Sequence, residues 1–144
     1  MKIYLASSWR NEMQPAILAI LRAAKFEVYD FRHPKEGDDG FSWKEIGLSW
    51  KNWTLKEYLK ALSHPIADDG FKSDFDAMKW ADCCVLLLPC GRSAHLEGGW
   101  FAGAGKPLHI LLSEDNFEPE LMYKMATSIS TDHMELLAAL GVKD

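Results

Sequence analysis

The stretch that decides the fold is DCCVLLLP, residues 82–89, an apolar run that begins at an aspartate and ends at a proline. A strand with one solvated face alternates apolar and polar residues, whereas a strand covered on both faces is apolar throughout. The run therefore predicts a central strand of a parallel sheet with helices on both sides. Further strands are predicted at 2–7, 26–31 and 106–112, and the short segment TSIS at 127–130 is the candidate for a fifth.

Helical patterns separate these strands along the chain. They predict helices at 7–25, 71–81, 93–105, 117–126 and 131–141, with an aromatic-rich helical region at 41–64. Strands that alternate with helices indicate an α/β protein. We therefore predict one domain over residues 1–144, a three-layer fold with a five-stranded parallel sheet of the flavodoxin-like, Rossmann-like kind. Ligands of such sheets bind beyond the carboxyl ends of the strands, where the strand order reverses.

The charge of the chain restricts its partners. The 144 residues carry a formal charge of −5 and contain no cluster of lysine and arginine. A nucleic-acid polymer needs such a cluster to displace its counterions, whereas a small phosphate needs only one or two groups. No apolar stretch reaches the length of a membrane helix, and the strand predicted at the start leaves no room for a signal peptide. We expect a cytoplasmic protein whose partner is a small molecule, neither a nucleic-acid polymer nor a membrane.

Three cysteines, Cys83, Cys84 and Cys90, lie on or just after the central strand. Neighbouring strand residues point to opposite faces, which makes Cys83 and Cys84 unsuitable for a mutual disulfide. Free thiols without a C-x-x-C pair indicate a reducing compartment and argue against a structural zinc site. We therefore expect no metal.

The polar bend GRSAHLEGG, residues 91–99, directly follows the central strand and contains Glu97. A carboxylate in the first turn of a helix is favoured by the helix dipole. In a crevice it can attack a carbon that is becoming an oxocarbenium ion. The alternative is a helix cap, because Ser93 and Glu97 are close to the spacing of a capping box. The sequence context assigns no role to His95.

A second group of candidates follows the first strand. Ser7, Ser8 and Arg10 are predicted to open the first helix, where N–H, hydroxyl and guanidinium groups together suit one phosphate. The alternative is plain capping by a serine, with Arg10 in solvent. Asp74 and Asp76, on the helix before the central strand, offer a general acid or are solvated helix-face acids.

Tryptophans are abundant for a chain of this size. They either stack on a flat ligand such as a nucleobase or fill a core or a subunit interface. The residues concerned are Trp9, Trp43, Trp50 and Trp53.

Three segments together resemble one family: IYLASSWR (3–10), SDFDAMKWAD (73–82) and GRSAHLEGGWFAGAGKP (91–107). Their order, spacing and place on the fold resemble the nucleoside 2-deoxyribosyltransferase superfamily, which includes the 2′-deoxynucleoside 5′-monophosphate N-glycosidases. The resemblance implies an enzyme that cleaves or transfers an N-glycosidic bond of a (deoxy)nucleoside or nucleotide. It further implies no cofactor and a homo-oligomer in which a neighbouring subunit completes the site.

The resemblance also implies roles for individual residues. Glu97 is the nucleophile that forms a glycosyl-enzyme, and the hydroxyl of Tyr4 orients it. Asp74 holds the base and helps to protonate it as it leaves. Trp9 lines the base pocket, as in the transferases, and Arg10 holds a 5′-phosphate, as in the nucleotide hydrolases.

The chain departs from both branches of the family six residues before Glu97. The transferases have an aspartate there for the sugar 5′-hydroxyl, and the hydrolases have a serine for the phosphate, but this chain has Gly91. Arg92 and Ser93 follow it. A guanidinium fork matches phosphate oxygens better than a free hydroxyl, which favours a nucleotide as substrate.

Two alternatives to an enzyme stay open. One is a non-catalytic nucleotide-binding sensor module of the same fold, and the other is a structural or interaction domain without convergent polar groups. A sensor has no need of Tyr4 and Glu97 together, so their presence favours catalysis.

Overall fold

The architecture is seen in a computed structural model, which describes residues 1–143. Five parallel strands form one sheet in the order β2-β1-β3-β4-β5, which confirms the predicted flavodoxin-like order. The order reverses between β1 and β3, so their carboxyl ends form the switch point. The strands are β1 Lys2–Ala6, β2 Glu27–Asp30, β3 Cys83–Leu87, β4 Leu108–Leu111 and β5 Ser128–Ser130.

The chain forms two compact units. The first consists of Met1–Asp30 and the chain from Met78 onwards, and it contains the whole sheet; the second is Phe31–Ala77. The single domain proposed for residues 1–144 stays a prediction. The α-helices are α1 Gln14–Ala23, α2 Leu55–Leu62, α3 Pro65–Trp80, α4 Arg92–Gly103 and α5 His133–Ala139.

The two faces of the sheet are covered by different helices, which gives the predicted three layers. Alternate strand residues point to opposite faces. One face packs against apolar residues of α1 and α5, in a core that contains Ile3, Leu5, Cys83, Val85, Leu87, Leu111, Ile17, Leu21, Leu136 and Leu140. The other face, with Tyr4 and Leu86, packs against α4, whose Ala94, Gly98 and Phe101 are buried.

Gly98 allows α4 to approach the sheet closely. A Cβ atom at this position would lie 3.4 Å from Leu108 Cδ1 and 3.7 Å from Leu86 Cδ2. A Cβ atom at Gly99 would meet nothing within 4 Å. A Cβ atom alone is therefore accommodated at both positions, but a longer side chain at Gly98 would meet Leu86 and Leu108.

The first helix begins later than its apolar pattern predicts, at Gln14 and not at residue 7. Two side chains bond locally to the backbone of the intervening loop: Ser8 Oγ accepts from the Arg10 N–H at 3.1 Å, and Asn11 Oδ1 accepts from the Met13 N–H at 2.8 Å. Such bonds compete with helix formation. Pro15 then lies in the first turn, where its missing N–H costs nothing.

The region 41–64 is mostly not α-helical, contrary to the prediction. It contains short 3₁₀ turns at Trp43–Glu45 and Trp50–Asn52, and only α2 is a true helix. A Cβ atom at Gly47 would lie 2.9 Å from the Trp53 ring, so the chain there follows its aromatic packing. Helix α2 starts at a capping box between Thr54 and Glu57.

Two other helix boundaries differ from the prediction. Helix α3 begins at Pro65 and not at residue 71, because proline suits the first turn and His64 Nδ1 accepts from the Ile66 N–H at 3.0 Å. The segment 117–126 forms only a 3₁₀ turn at Leu121–Met125. Pro119 disfavours the helical conformation of the residue before it, which shortens the segment that can wind. Within residues 1–143, no helix combines the length and apolarity of a membrane-spanning segment.

The adjacent glycines of α4 provide a matched test of this packing. Gly98→Leu should lower the free energy of unfolding by about 1–3 kcal/mol, because the leucine atoms beyond Cβ would meet the side chains of Leu86 and Leu108. Gly99→Leu should raise it by about 0.5–1 kcal/mol, because leucine favours a helix more than glycine does. Urea unfolding of both variants measures the difference, and equal effects would contradict the close approach at Gly98.

Candidate active site

The centre of the candidate site is a hydrogen bond between Tyr4 and Glu97. Tyr4 lies on β1 with 1% of its surface exposed, and its hydroxyl donates to Glu97 Oε2 on α4. The two residues are 93 positions apart in sequence. The strand order brings them together, because β1 lies beside β3, and α4 follows β3. The residues that sequence reasoning named as nucleophile and orienting hydroxyl are therefore in direct contact.

Glu97 lies in the second turn of α4, and not in the first turn as predicted. The N-cap is Gly91, without a side-chain cap bond, so the capping-box alternative for Ser93 and Glu97 is wrong. The helix dipole acts mainly within the terminal turn, so the support expected from it is reduced at Glu97. Contact with Tyr4 orients the carboxylate instead.

The negative charge of Glu97 contributes to the raised pKa of two nearby thiols, Cys84 and Cys90. Burial, followed by the Glu97 charge, raises the pKa of the Cys90 thiol to about 12. The same two causes, in the same order, raise the pKa of Cys84 well above its usual range. Both thiols therefore stay protonated at neutral pH, and a protonated thiol is a weak nucleophile.

The loop after β1 is tied to the end of β3 by two side chains. Ser7 Oγ donates to the Leu87 carbonyl at 3.0 Å, and Asn11 Nδ2 donates to the Pro89 carbonyl at 3.2 Å. Asn11 is 3% exposed, yet its sequence context gave no signal of this role. The two bonds connect the strands on either side of the switch point.

Ser7, Ser8 and Arg10 do not open a helix, since α1 starts at Gln14. The anion site predicted at a helix N-terminus is therefore wrong in that form, as is the alternative of helix capping by a serine. Trp9 and Arg10 lie on the exposed surface of the loop. Their roles in binding a base and a phosphate stay predictions.

Gly91, Arg92 and Ser93 form the exposed start of α4. Gly91 has neither a positive φ nor a neighbour near its Cβ position, so the turn does not require glycine. The exposed N-terminus with its guanidinium remains compatible with an anion, but the assignment of these residues to substrate stays a prediction.

His95, which the sequence left without a role, links α4 to the 3₁₀ turn after β4. Its Nδ1 donates to the Gly91 carbonyl at 2.8 Å, which leaves Nε2 to accept from the Tyr123 hydroxyl at 2.9 Å. The rings also stack, with centroids 5.8 Å apart. A cavity of about 760 Å³ with an apolar floor adjoins His95, and Glu97 is not among its lining residues.

Asp74 belongs to the second unit, where it is half-buried on α3. It lines a cavity of about 550 Å³. The charged side chains around this cavity are five carboxylates and two lysines, namely Asp38, Glu45, Asp69, Asp74, Asp76, Lys35 and Lys72. Lys72 forms an ion pair with Asp76, which is the more exposed of the two candidate aspartates. The role of Asp74 stays a prediction.

The tryptophans of the second unit pack mainly on one another. Trp43 meets Phe41, Trp53 and Tyr58 edge-on, with ring centroids 4.8, 5.8 and 5.9 Å apart. Trp43 and Trp53 thus build an aromatic core, and Trp50 lies under the Lys51 ammonium. Among residues 1–143, no group of three or more potential metal ligands is found.

Known structures share this architecture over almost the whole chain. A 2-deoxyribosyltransferase from Bacillus psychrosaccharolyticus is 22% identical, with 94% of this chain and 90% of that chain covered and a TM-score of 0.57. The chain has the nucleoside 2-deoxyribosyltransferase fold. A CMP N-glycosidase from Clostridium botulinum is 19% identical, with 99% and 100% covered and a TM-score of 0.55. A conserved protein from Enterococcus faecalis is 15% identical, with 98% and 97% covered and a TM-score of 0.62.

These likenesses confirm the fold that the resemblance implied. No family model and no curated protein sequence matches the chain. Activity must therefore be argued from the residues of this chain.

The proximity of Glu97 and Cys90 can be tested through thiol chemistry. Glu97→Gln removes a negative charge that disfavours the Cys90 thiolate, so the pKa should fall and the thiolate fraction should rise. At pH 9, labelling of Cys90 by iodoacetamide, read by peptide mass spectrometry, should become several-fold faster. Glu120→Gln serves as the control, because Glu120 is not among the causes of the Cys90 shift. Equal rates in wild type and Glu97→Gln would contradict the proximity.

Proposed function

We propose that this protein cleaves or transfers the N-glycosidic bond of a (deoxy)nucleoside or nucleoside 5′-monophosphate, with Glu97 as nucleophile. The observation that carries the proposal is the Tyr4–Glu97 hydrogen bond beside the switch point of the sheet. A carboxylate held by a buried hydroxyl is suited to attack a sugar carbon in a defined direction. The shared fold with a deoxyribosyltransferase and a CMP N-glycosidase supports the same reaction class.

In the proposed reaction, a Glu97 carboxylate oxygen forms a bond to C1′ as the C1′–N bond breaks. The electron pair of the broken bond goes to the base, which takes up a proton with the help of Asp74. Water then attacks C1′, the bond from C1′ to Glu97 breaks, and Asp74, which has given up its proton, takes a proton from the water. In transfer, a second base replaces the water and loses its proton in the same way. The positive charge that develops on the sugar ring is stabilised by the carboxylate, so the reaction requires no cofactor.

The alternative of a non-catalytic sensor fits Tyr4 and Glu97 less well. A buried tyrosine that donates to a half-buried carboxylate constrains that carboxylate in one orientation. Binding of a neutral sugar hydroxyl does not require such a constraint, whereas attack on carbon does. We therefore favour the enzyme.

A 5′-monophosphate is our preferred substrate form. Arg10 and Arg92 are exposed guanidinium groups, one in the loop after β1 and the other in the first turn of α4. One guanidinium group can donate two parallel hydrogen bonds to two oxygens of a phosphate. A free 5′-hydroxyl has a single oxygen and no negative charge, so it binds a guanidinium less strongly. We also propose that the protein is a homo-oligomer located in the cytoplasm. Light scattering of the purified protein measures its oligomeric state.

The cavity around Asp74 indicates which bases suit it. Ionised carboxylates only accept hydrogen bonds, and carboxyl groups outnumber the lysines of this cavity by five to two. A base held beside Asp74 should therefore present donors, as the amino groups of cytosine and adenine do. Uracil and hypoxanthine have a ring N–H donor but carry an oxo acceptor where cytosine and adenine carry the amino group. Because an oxo group is disfavoured beside ionised carboxylates, these two bases should bind less well.

The decisive experiment measures release of free base from matched substrates by chromatography. We expect release from nucleoside monophosphates and a loss of at least about 10³-fold in Glu97→Gln, because the variant lacks the nucleophile. Release that survives Glu97→Gln would refute the mechanism, and binding without release from any substrate would identify the sensor. A requirement for a second base would identify a transferase.

The role of Asp74 has its own comparison. Asp74→Asn should slow base release by about 10²-fold or more, since general acid–base assistance is worth that much. Asp76→Asn should have a small effect, and Asp68→Asn on the exposed face of α3 provides the neutral control. Kinetics on the pairs dCMP/dUMP and dAMP/dIMP test the base preference. A larger loss in Asp76→Asn than in Asp74→Asn would reassign the role.

A further inference from the structure

The ring of Tyr4 is held on two sides by other aromatic rings, a feature that the proposed chemistry does not use. The Tyr29 ring stacks on it, with centroids 5.4 Å apart and planes inclined by 14°. The Phe101 ring packs against it with centroids 5.7 Å apart and planes inclined by 38°. The hydroxyl that contacts Glu97 therefore belongs to a clamped ring.

The strand register places Tyr29 against Tyr4. The two residues are direct partners in the parallel pairing of β1 and β2, so their side chains project from the same face of the sheet. Tyr29 is half-buried, whereas Tyr4 and Phe101 are almost fully buried. Tyr29 can therefore be changed with less damage to the core than Phe101.

Helix α4 contacts both the ring and the hydroxyl of Tyr4. Phe101 follows Glu97 by four residues, so the two lie on the same face of the helix. The ring of Phe101 packs on the ring of Tyr4, and the carboxylate of Glu97 accepts from its hydroxyl. Trp100 in turn packs edge-on against Phe101, with centroids 5.2 Å apart. This side of the clamp is fixed by the helix itself, which leaves Tyr29 as the separate second side.

We propose that Tyr29 is a positioning residue for the nucleophile, acting through the ring of Tyr4. The hydroxyl is the far end of the Tyr4 side chain, so a small tilt of the ring displaces it most. Hydrogen bonds weaken steeply as their angle departs from linear, and a catalytic group loses rate when it is misplaced by a fraction of an ångström. The inference rests on the proposed function for its kinetic consequence, and on the ring packing alone for its structural one.

The kinetic test is a double-mutant cycle on single-turnover base release. Tyr29→Leu removes the stacked ring and should lower the rate of the chemical step by about 10-fold to 10²-fold with little change in KM. Tyr29→Phe keeps the ring and should stay within about twofold of wild type. In a Tyr4→Phe background, Tyr29→Leu should cause no further loss, because the hydroxyl that it positions is already absent.

A purely structural role gives a different pattern. The fractional loss from Tyr29→Leu would then be the same with Tyr4 and with Tyr4→Phe, and that result overturns the proposal. Loss of rate in Tyr29→Phe equal to that in Tyr29→Leu would also overturn it, because the tyrosine hydroxyl and not the ring would matter. A thermal melt of each variant shows whether it is folded. If Tyr29→Leu does not fold, Tyr29→Met takes its place.

A second readout separates this inference from the proposed function. The coupling between Tyr4→Phe and Glu97→Gln is measured in the free energy of unfolding by urea, which needs no substrate. The coupling should shrink when Tyr29→Leu is added, and an unchanged coupling would refute the positioning role. Failure of base release with every substrate refutes the proposed function instead, and leaves the urea cycle to decide on Tyr29.

Discussion

The candidate site is built around the hydrogen bond from the Tyr4 hydroxyl to the Glu97 carboxylate, which fixes the carboxylate relative to the sheet. It joins the third residue of the first strand to the second turn of the helix that follows the central strand. It exists only because the parallel sheet places β1 beside β3. The loop contacts described for this unit hold together the two strand ends between which the bond forms.

Local contacts support it from several directions. Gly98, the residue after Glu97, lies against the side chains of Leu86 and Leu108 on the sheet. Ser7 and Asn11 hold the loop after β1 to the end of β3. Burial and the Glu97 charge raise the pKa of both Cys84 and Cys90, so the two thiols near the carboxylate stay neutral.

The fold was predictable because its signals are strong and local. The apolar run at 82–89 could only be a strand covered on both faces, and the alternation of strands and helices then left few topologies. The pairing of Tyr4 with Glu97 was predictable only through the family resemblance, since no local pattern links two residues 93 positions apart. The start of α1 was not predictable from periodicity, because the apolar pattern does not mark the first residue and the side chains of Ser8 and Asn11 bond to the backbone of the loop before it. The helix prediction for region 41–64 was mostly wrong because aromatic residues there pack on one another. That packing overrides helical propensity.

The spacing of four residues between Glu97 and Phe101 has a consequence for recognising this arrangement in other chains. An α-helix repeats its facing positions every three or four residues, so a helix that must offer both a carboxylate and a ring to one tyrosine is limited to very few spacings. An insertion of one residue between the two would turn the ring by about 100° away from the tyrosine. A tyrosine in a first strand, followed much later by E-x-x-x-F after an apolar strand, is thus a signature that a diverged sequence can carry when little else remains similar.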